Sequence, residues 1–495
     1  MIIQTGPRRR VGLALIAGAV GALGLAPYGL WPATVLALAI ACGLYARAET
    51  GRQALFTGWA FGTGYFGVAL LWIVEPFLVE PEIHGWMAPF ALVLLAAGLA
   101  LFWAGAFRLA FAARRLPGLA LIAMLGLAEL ARAYLLTGFP WGGVAQIWVG
   151  VGPDLMLAWI GPHGLGVITL LCGLAFSHLL SGGWMRRISG PAAVGFFVAA
   201  GIGLQIGLPE PALRDATVRL VQPNAPQDQK WDPERIPDFL DRKLGFSAVQ
   251  PAPDLIVWPE TSIPTLLAYA GPILDRIAAA APGVPVIAGV QRRDDRRLYN
   301  AAVLLRDGAP AEIYDKHHLV PFGEYIPLGD LAARFGLHGF AAREGQGFSA
   351  GPGPRLMDLG PLGKALPLIC YEAVFPQHAT SSGDRADVLI QITNDAWFGD
   401  RSGPYQHLAQ ARMRAIEQGL PMIRVANTGI SAMIDPYGRL ISSIPLGEAG
   451  YVDAALPRPL SPSLYARTGD LPVLAILILV SLSLFGRGSA GRTGK

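Results

Sequence analysis

The chain of 495 residues is 53% hydrophobic and only 15% charged, with a mean hydropathy of +0.43. That excludes a single soluble domain, which needs far less apolar material to fill one core. The net charge of +4 is unevenly placed: residues 209–470 carry 25 Lys and Arg against 29 Asp and Glu, and the remainder 14 against 6. The basic surplus therefore lies among the apolar segments, where it reads as topology and not as a nucleic-acid footprint.

A bilayer-spanning helix needs ~20 mostly apolar residues. In chain order such runs fall at 11–27, 30–46, 54–74, 86–107, 117–136, 163–181, 191–208 and 471–486, predicting eight spans. Arg8, Arg9 and Arg10 before the first run have the look of a cleavable leader. No small-residue cleavage site precedes a soluble stretch, however, and another apolar run follows at once, so a retained first helix is expected. With the amino terminus inside, the inner loops hold Arg8 to Arg10, Arg47 and Arg52, Arg108, Arg114 and Arg115, Arg186 and Arg187, and at the end Arg487, Arg492 and Lys495. The outer loops carry Glu75, Glu80, Glu82 and Asp154 instead, with Trp141 and Trp148 as residues suited to a membrane interface. Glu129 and Arg132, three apart in the fifth run, are expected to pair on one helix face.

Between Pro209 and Asp470 the texture changes to short apolar runs broken by Pro, Gly and Asp, the pattern of alternating strands and helices. One soluble domain of about 260 residues is predicted there, a reasonable size for a single core. The boundaries are thus 1–208 for a seven-span membrane domain, 209–470 for the soluble domain, and 471–495 for the eighth span and tail. After seven crossings the soluble domain lies outside the cytoplasm.

Cys42 and Cys172 fall inside predicted spans, where small packing residues are expected, and Cys370 is alone in the external domain. A buried cysteine is ordinarily a small hydrophobe. A lone thiol outside the cytoplasm, with no disulfide partner in its domain, reads as well as a free reactive group. A nucleophilic thiol needs a base and a positive neighbour, and two other strand ends supply such groups. The run Asp254-Leu-Ile-Val-Trp-Pro-Glu260 delivers a carboxylate into a turn, and Ala311-Glu-Ile-Tyr-Asp-Lys316 delivers a lysine, followed by Glu324 in a Pro-Phe-Gly-Glu turn. Residues at strand ends of an α/β sheet can converge on one crevice.

LIVWPETS, YDKHHLVPFGEYIP, LICYE and NDAWFG together resemble the successive motifs of the nitrilase, or carbon-nitrogen hydrolase, superfamily with its Glu-Lys-Cys triad. The apolar frame around them, GFPW at 138–141 and QPNAPQDQKWDPE at 222–234 resemble the apolipoprotein N-acyltransferase family. The resemblance implies a multi-pass α-helical domain plus an external α/β nitrilase-like αββα sandwich. It implies Cys370 as nucleophile, Glu260 as general base and Lys316 as oxyanion stabiliser, with Glu324, Tyr371, Glu372 and Trp231 needed for activity. The implied reaction is transfer of a fatty acyl chain from a phospholipid, through a thioester on Cys370, to the α-amine of the S-diacylglyceryl-cysteine that begins an apolipoprotein. The implied setting is the bacterial inner membrane, with both termini cytoplasmic and the catalytic domain periplasmic.

The remaining candidates carry two readings each. Trp231 serves equally as an interfacial anchor or a substrate contact, and Glu372 as a site residue or the partner of an arginine. Asn394, Asp395, Trp397 and Phe398 follow the strand ADVLIQIT and are expected to shape the crevice wall. The Gly- and Pro-rich arm from Tyr325 to Pro354 reads as a water-excluding lid or an ordinary long loop. His317 and His318 lack the spaced partners of a zinc site, and no glycine-rich phosphate loop follows a strand, so neither metal nor nucleotide cofactor is expected. Three rivals remain: a membrane-tethered amidase or nitrilase using water, a transporter with a ligand-binding outer domain, and an acyltransferase with another acceptor.

Overall fold

The computed structural model describes residues 6–113, 115–181, 184–326, 347–380 and 383–485. The chain divides into two compact units. One takes residues up to Leu71, Pro89–Ile206 and residues from Thr468 on; the other takes Trp72–Ala88 and Gly207–Arg467.

The first unit is helical: α1 (Pro7–Gly21), α2 (Trp31–Ala46), α3 (Gly51–Ala69), α4 (Ala88–Ala110), α5 (Pro117–Tyr134), α6 (Leu157–Ser181), α7 (Trp184–Ile206) and a closing helix, Leu471–Phe485. Each of the eight apolar runs thus coincides with a helix. Among the described residues four helical stretches are long and apolar enough to cross a membrane, namely Pro81–Ala110, Pro117–Tyr134, Pro153–Leu179 and Arg187–Ile206. A fifth arises if Gly51–Ala69 and Leu71–Leu78, bent by 48°, form one span. Trp31–Ala46 and Leu471–Phe485 are apolar but shorter; 16 residues at 1.5 Å each reach about 24 Å, less than a ~30 Å hydrocarbon layer. Composition alone, which predicts eight spans, does not see where helices stop.

Helices α1 and α3 meet where side chains are absent. A Cβ on Gly18 would stand 2.0 Å from the Phe61 carbonyl oxygen, and one on Gly64 would stand 2.0 Å from that of Leu15, the close approach that small residues permit between apolar helices. Glu129 and Arg132 do pair, at 2.7 Å, and the pair is buried. Trp103 Nε1 donates to Glu129 at 2.8 Å, while Arg132 donates to the carbonyls of Phe139 and Trp141, tying down the Gly-Phe-Pro-Trp turn. The two tryptophans expected at an interface are fully buried instead. Trp148 donates to Thr169 Oγ1 at 2.8 Å and packs against Trp31, so the indole N–H finds its partner inside the helical unit.

The second unit holds two six-stranded sheets. The first has the order β12-β1-β2-β3-β4-β5 and the second β11-β10-β9-β8-β7-β6. Their strands are β1 (Leu213–Gln222), β2 (Leu255–Val257), β3 (Val286–Asp294), β4 (Arg297–Arg306), β5 (Ala309–Asp315), β6 (Met357–Asp358), β7 (Lys364–Ile369), β8 (Val388–Thr393), β9 (Met422–Ala426), β10 (Ser431–Ile434), β11 (Leu440–Ile444) and β12 (Gly450–Pro457). Alternation along β1 shows how the layers stack. Val221 joins an apolar core with Leu240 and Leu244 of α8 (Ile236–Ser247) and Leu274 and Ile277 of α9 (Gly271–Ala280). Its neighbour Gln222 turns the other way and accepts from Ser431 N and Oγ on β10 at 3.1 and 2.6 Å. The second sheet buries Leu366, Leu368, Leu389 and Met422 under Leu408, Ala411 and Ala415 of α10 (Gly403–Gln418). Helices therefore cover the outer faces and the sheets face each other, an αββα arrangement.

The segment Trp72–Ala88 lies within this second unit although it falls between α3 and α4. Trp72 meets Phe398 edge-on with ring centroids 4.8 Å apart.

Candidate active site

Parallel pairing of β1 with β2 and of β2 with β3, and of β7 with β8 and of β8 with β9, points their carboxyl ends one way in each sheet, where ligand crevices form in α/β folds. Glu260 follows β2 through Trp258 and Pro259. Lys316 is the first residue past β5. Cys370 is the first past β7 and begins a 3-10 turn, Cys370–Val374. Its φ of +51° is a conformation that an L residue adopts only when its surroundings impose it, and it swings the thiol off the strand axis.

The three side chains are buried, and a polar lattice fixes the two charged ones. Lys316 Nζ lies 2.9 Å from Glu324 Oε1 and 3.6 Å from Glu260 Oε1. Asn300, on β4, donates its Nδ2 to both carboxylates, at 2.6 Å to Glu260 Oε1 and 3.1 Å to Glu324 Oε1. The second oxygen of Glu260 accepts from Asn394 N at 2.9 Å, and that of Glu324 from Val320 N at 2.9 Å. Burial pulls the Lys316 ammonium down, but Glu324 first and Glu260 next overcome it, so the lysine stays charged well above the usual lysine range. Burial pushes the Cys370 thiol up, the Glu260 carboxylate adds to this, and Lys316 opposes both. The net shift is upward, so the resting group is a neutral thiol. Lys316 favours the thiolate, as charge reasoning predicts, without prevailing over burial.

Glu372 is fully buried and organises the backbone between Lys316 and Cys370. Its carboxylate accepts from Ile369 N at 2.7 Å, His317 N at 2.8 Å, His318 N at 3.2 Å and Tyr314 OH at 3.1 Å. Among the described residues its close basic neighbour is His317 Nδ1, at 2.6 Å, and not an arginine. Burial works against its charge, but His317 and these amides hold its carboxyl below the usual range. Tyr371 is buried with its ring edge-on to Phe375, centroids 4.9 Å apart. Trp231 is 42% exposed and, with Lys230, Phe239 and Lys243, lines a cavity that reaches Glu260. Asn394 anchors Glu260 by its amide and bonds Gln227 and Asn427 by its side chain, at 2.8 Å each. Trp397 is half-buried in the turn Asp395–Phe398. Asp395 is fully buried between Arg424 and His407.

Residues 327–346 of the Gly- and Pro-rich arm lie outside the described residues. The returning limb packs on the lysine loop: Phe348 N donates to Glu324 O at 2.9 Å and Gly351 N to Lys316 O at 2.8 Å.

Four contributors escape a reading of the sequence. Asn300 is a polar residue inside the apolar strand RLYNAAVLL, which is the one signal it offers. His407 sits on α10 and hydrogen-bonds the Cys370 carbonyl at 3.1 Å, joined by Gln391 at 3.3 Å. His378 closes a chain of rings, 3.2 Å from His317 and 2.9 Å from His318. Among the described residues no His, Cys, Asp or Glu group is arranged to hold a metal ion.

Two facing sheets, with a thiol, a carboxylate and a lysine presented at their strand ends, define an α/β domain of the carbon-nitrogen hydrolase type, and residues 217–463 match the carbon-nitrogen hydrolase family model. Residues 17–175 match the apolipoprotein N-acyltransferase N-terminal domain. A Rhodopseudomonas palustris protein named apolipoprotein N-acyltransferase is 36% identical, over 97% of this chain and 96% of its own. A Caulobacter vibrioides protein of the same name is 38% identical, over 94% and 92%. The chain belongs to the apolipoprotein N-acyltransferase family.

Proposed function

We propose that the protein transfers a fatty acyl chain from a phospholipid to the α-amine of the S-diacylglyceryl-cysteine at the start of an apolipoprotein, by way of a thioester on Cys370. The observation that carries this reading is the shared lattice of Glu260, Lys316, Glu324 and Asn300 beside a thiol that burial keeps neutral. A neutral thiol needs a base at the moment of attack. Glu260 takes its proton as sulfur adds to the ester carbonyl, and Lys316 with a backbone amide near Cys370 holds the oxyanion. Glu260 then gives the proton to the departing lysophospholipid oxygen, leaving acyl-Cys370. The α-amine, with a pKa of about 7.7–8.0 and so partly neutral near pH 7, attacks the thioester. Glu260 takes its proton, the amide forms, and the thiol is restored.

Two bulky lipids using one crevice in turn favour a covalent, two-step route. Water must be kept from the thioester meanwhile, a task this reading gives to the arm from Tyr325 to Pro354 and to apolar surface against the bilayer. Trp231, beside the cavity that reaches Glu260, is placed to meet a substrate.

The same proposal takes residues 1–208 and 471–495 as an eight-crossing frame in the bacterial inner membrane, with both termini cytoplasmic and residues 209–470 periplasmic. Arginine in alternate loops supports this orientation. So does the membership of Trp72–Ala88 in the α/β unit, because the loop between α3 and α4 and that unit must then share one side of the membrane.

A diacylated lipopeptide supplied with phospholipid tests the reading. Fatty acid recovered as an amide on the lipopeptide supports it, and fatty acid released free in solution assigns water as the acceptor.

A further inference from the structure

Two buried lysines lie behind Glu260 that the mechanism above does not use. Lys230 sits in the segment after β1 and Lys243 on α8, 8% and 5% exposed. Their ammonium groups converge on one short stretch of backbone. Lys230 Nζ donates to the Glu260 carbonyl at 3.1 Å and to Thr261 Oγ1 at 2.6 Å, and Lys243 Nζ donates to the Ser262 carbonyl at 2.5 Å. From the other side, Ser262 N and Ile263 N donate to Gly289 O on β3, at 2.8 and 3.0 Å. Thr261 has a φ of +46°, and Gly289 is pressed so close that a Cβ there would stand 2.4 Å from Thr261 N. A turn in this conformation keeps its shape only if held.

Among the described residues neither lysine forms an ion pair, so each is a buried amine without a carboxylate, and holding the charged form there costs stability. Ring faces offset part of that cost: Lys230 lies 5.5 Å from the Trp231 ring and Lys243 5.5 Å from that of Trp258. The titratable groups that face them are Glu260 and the Cys370 thiol for Lys230, and Lys230 for Lys243. Burial pulls Lys230 down to about 8 against the pull of Glu260 and Cys370. It pulls Lys243 down to about 7, and the charge of Lys230 adds to this.

We propose that Lys230 and Lys243 are positioning residues for the catalytic base: their two ammonium groups clasp the Glu260–Ser262 turn by its oxygens and so set where the Glu260 carboxylate meets the thiol. This rests on the assignment of Glu260 as base to Cys370, but not on the identity of the donor or acceptor.

The test is the burst of p-nitrophenol on mixing the enzyme with p-nitrophenyl butyrate, which reads acylation of Cys370 without phospholipid or lipoprotein. Lys230→Met and Lys243→Met remove the ammonium and keep the side chain's length, and the Arg variants restore a cation. Each Met variant is expected to slow the burst about tenfold at pH 7 with the half-saturating ester concentration unchanged, and Arg to recover part of the loss. A packing role alone would lower thermal stability and leave the burst rate unaltered. An unaltered burst in both folded Met variants overturns the proposal, as does a wild type with no burst at all. If the Met variants do not fold, the wild type decides. Its burst rate falls from pH 7 to 9 as the clasp sheds protons, and a rate that rises through this window overturns the proposal. A wild type that gives the burst but never acylates a lipopeptide refutes the acyltransferase reading and leaves the clasp standing.

Discussion

Lys316 Nζ is closer to Glu324, at 2.9 Å, than to Glu260, at 3.6 Å. Glu324 thereby carries much of the lysine's charge and keeps it from closing fully onto the base, while Asn300 ties the two carboxylates together. Glu324→Gln removes that counterweight. The expected result is an acyl-transfer rate lower by about 100-fold, on the scale of losing an oxyanion donor, measured as initial rate on a lipopeptide acceptor. More than half of wild-type activity in the variant would contradict this.

Glu372→Ala strips a common acceptor from the amides of Ile369, His317 and His318, all in the buried region between lysine and thiol. Removing one partner of a buried charged network costs about 3–5 kcal/mol, which for a domain of this size lowers the thermal midpoint by roughly 6–20 °C. Calorimetry or thermal scanning in detergent reads it. Glu372→Gln, which keeps one acceptor oxygen, should lose about half as much, and an unchanged midpoint in both variants would contradict the role given to Glu372.

Asn300→Leu keeps the size of the side chain and removes its donors. Glu260 and Glu324 then face each other with only Lys316 between them. The burst with p-nitrophenyl butyrate should fall at least tenfold, with Cys370 intact by mass spectrometry. A burst within twofold of wild type would show that Asn300 is merely nearby.

How much of this was legible in the sequence depends on distance along the chain. The strand before Cys370 is written in Leu366–Ile369, that before Glu260 in the apolar run Leu255–Trp258, and that before Lys316 only in a short extended segment, because alternation and turn residues are local signals. Asn300 was not, since its meaning lies in two carboxylates on other segments. Glu372 reads as a site residue or the partner of an arginine, and its actual partners include the His317 and His318 amides brought round by the loop after β5. Trp141 and Trp148 read as interfacial because hydropathy records no packing, and Trp72 reads as part of the apolar run 54–74 because its contact with Phe398 is tertiary.

The buried lysines also set a pH dependence. With folded values of about 8 for Lys230 and about 7 for Lys243 against about 10.4 for an unfolded lysine, both states are fully protonated only below about pH 5. From there to about 10.4 the unfolded chain holds protons that the folded chain has shed, so this contribution to stability rises with pH. Relative to Lys243→Met, the wild type should therefore gain up to about 1 kcal/mol per pH unit between pH 7 and 9. Thermal midpoints of the two proteins across that range check it, and a gap that does not change with pH would contradict it.

Acylation of Cys370 is read by incubating purified enzyme with phospholipid alone, digesting it and analysing the peptides by mass spectrometry. The expected result is a fatty-acyl mass on the Cys370 peptide, removed by neutral hydroxylamine and absent from Glu260→Gln. No adduct in enzyme that is turning over, or full activity in Cys370→Ala, would contradict it.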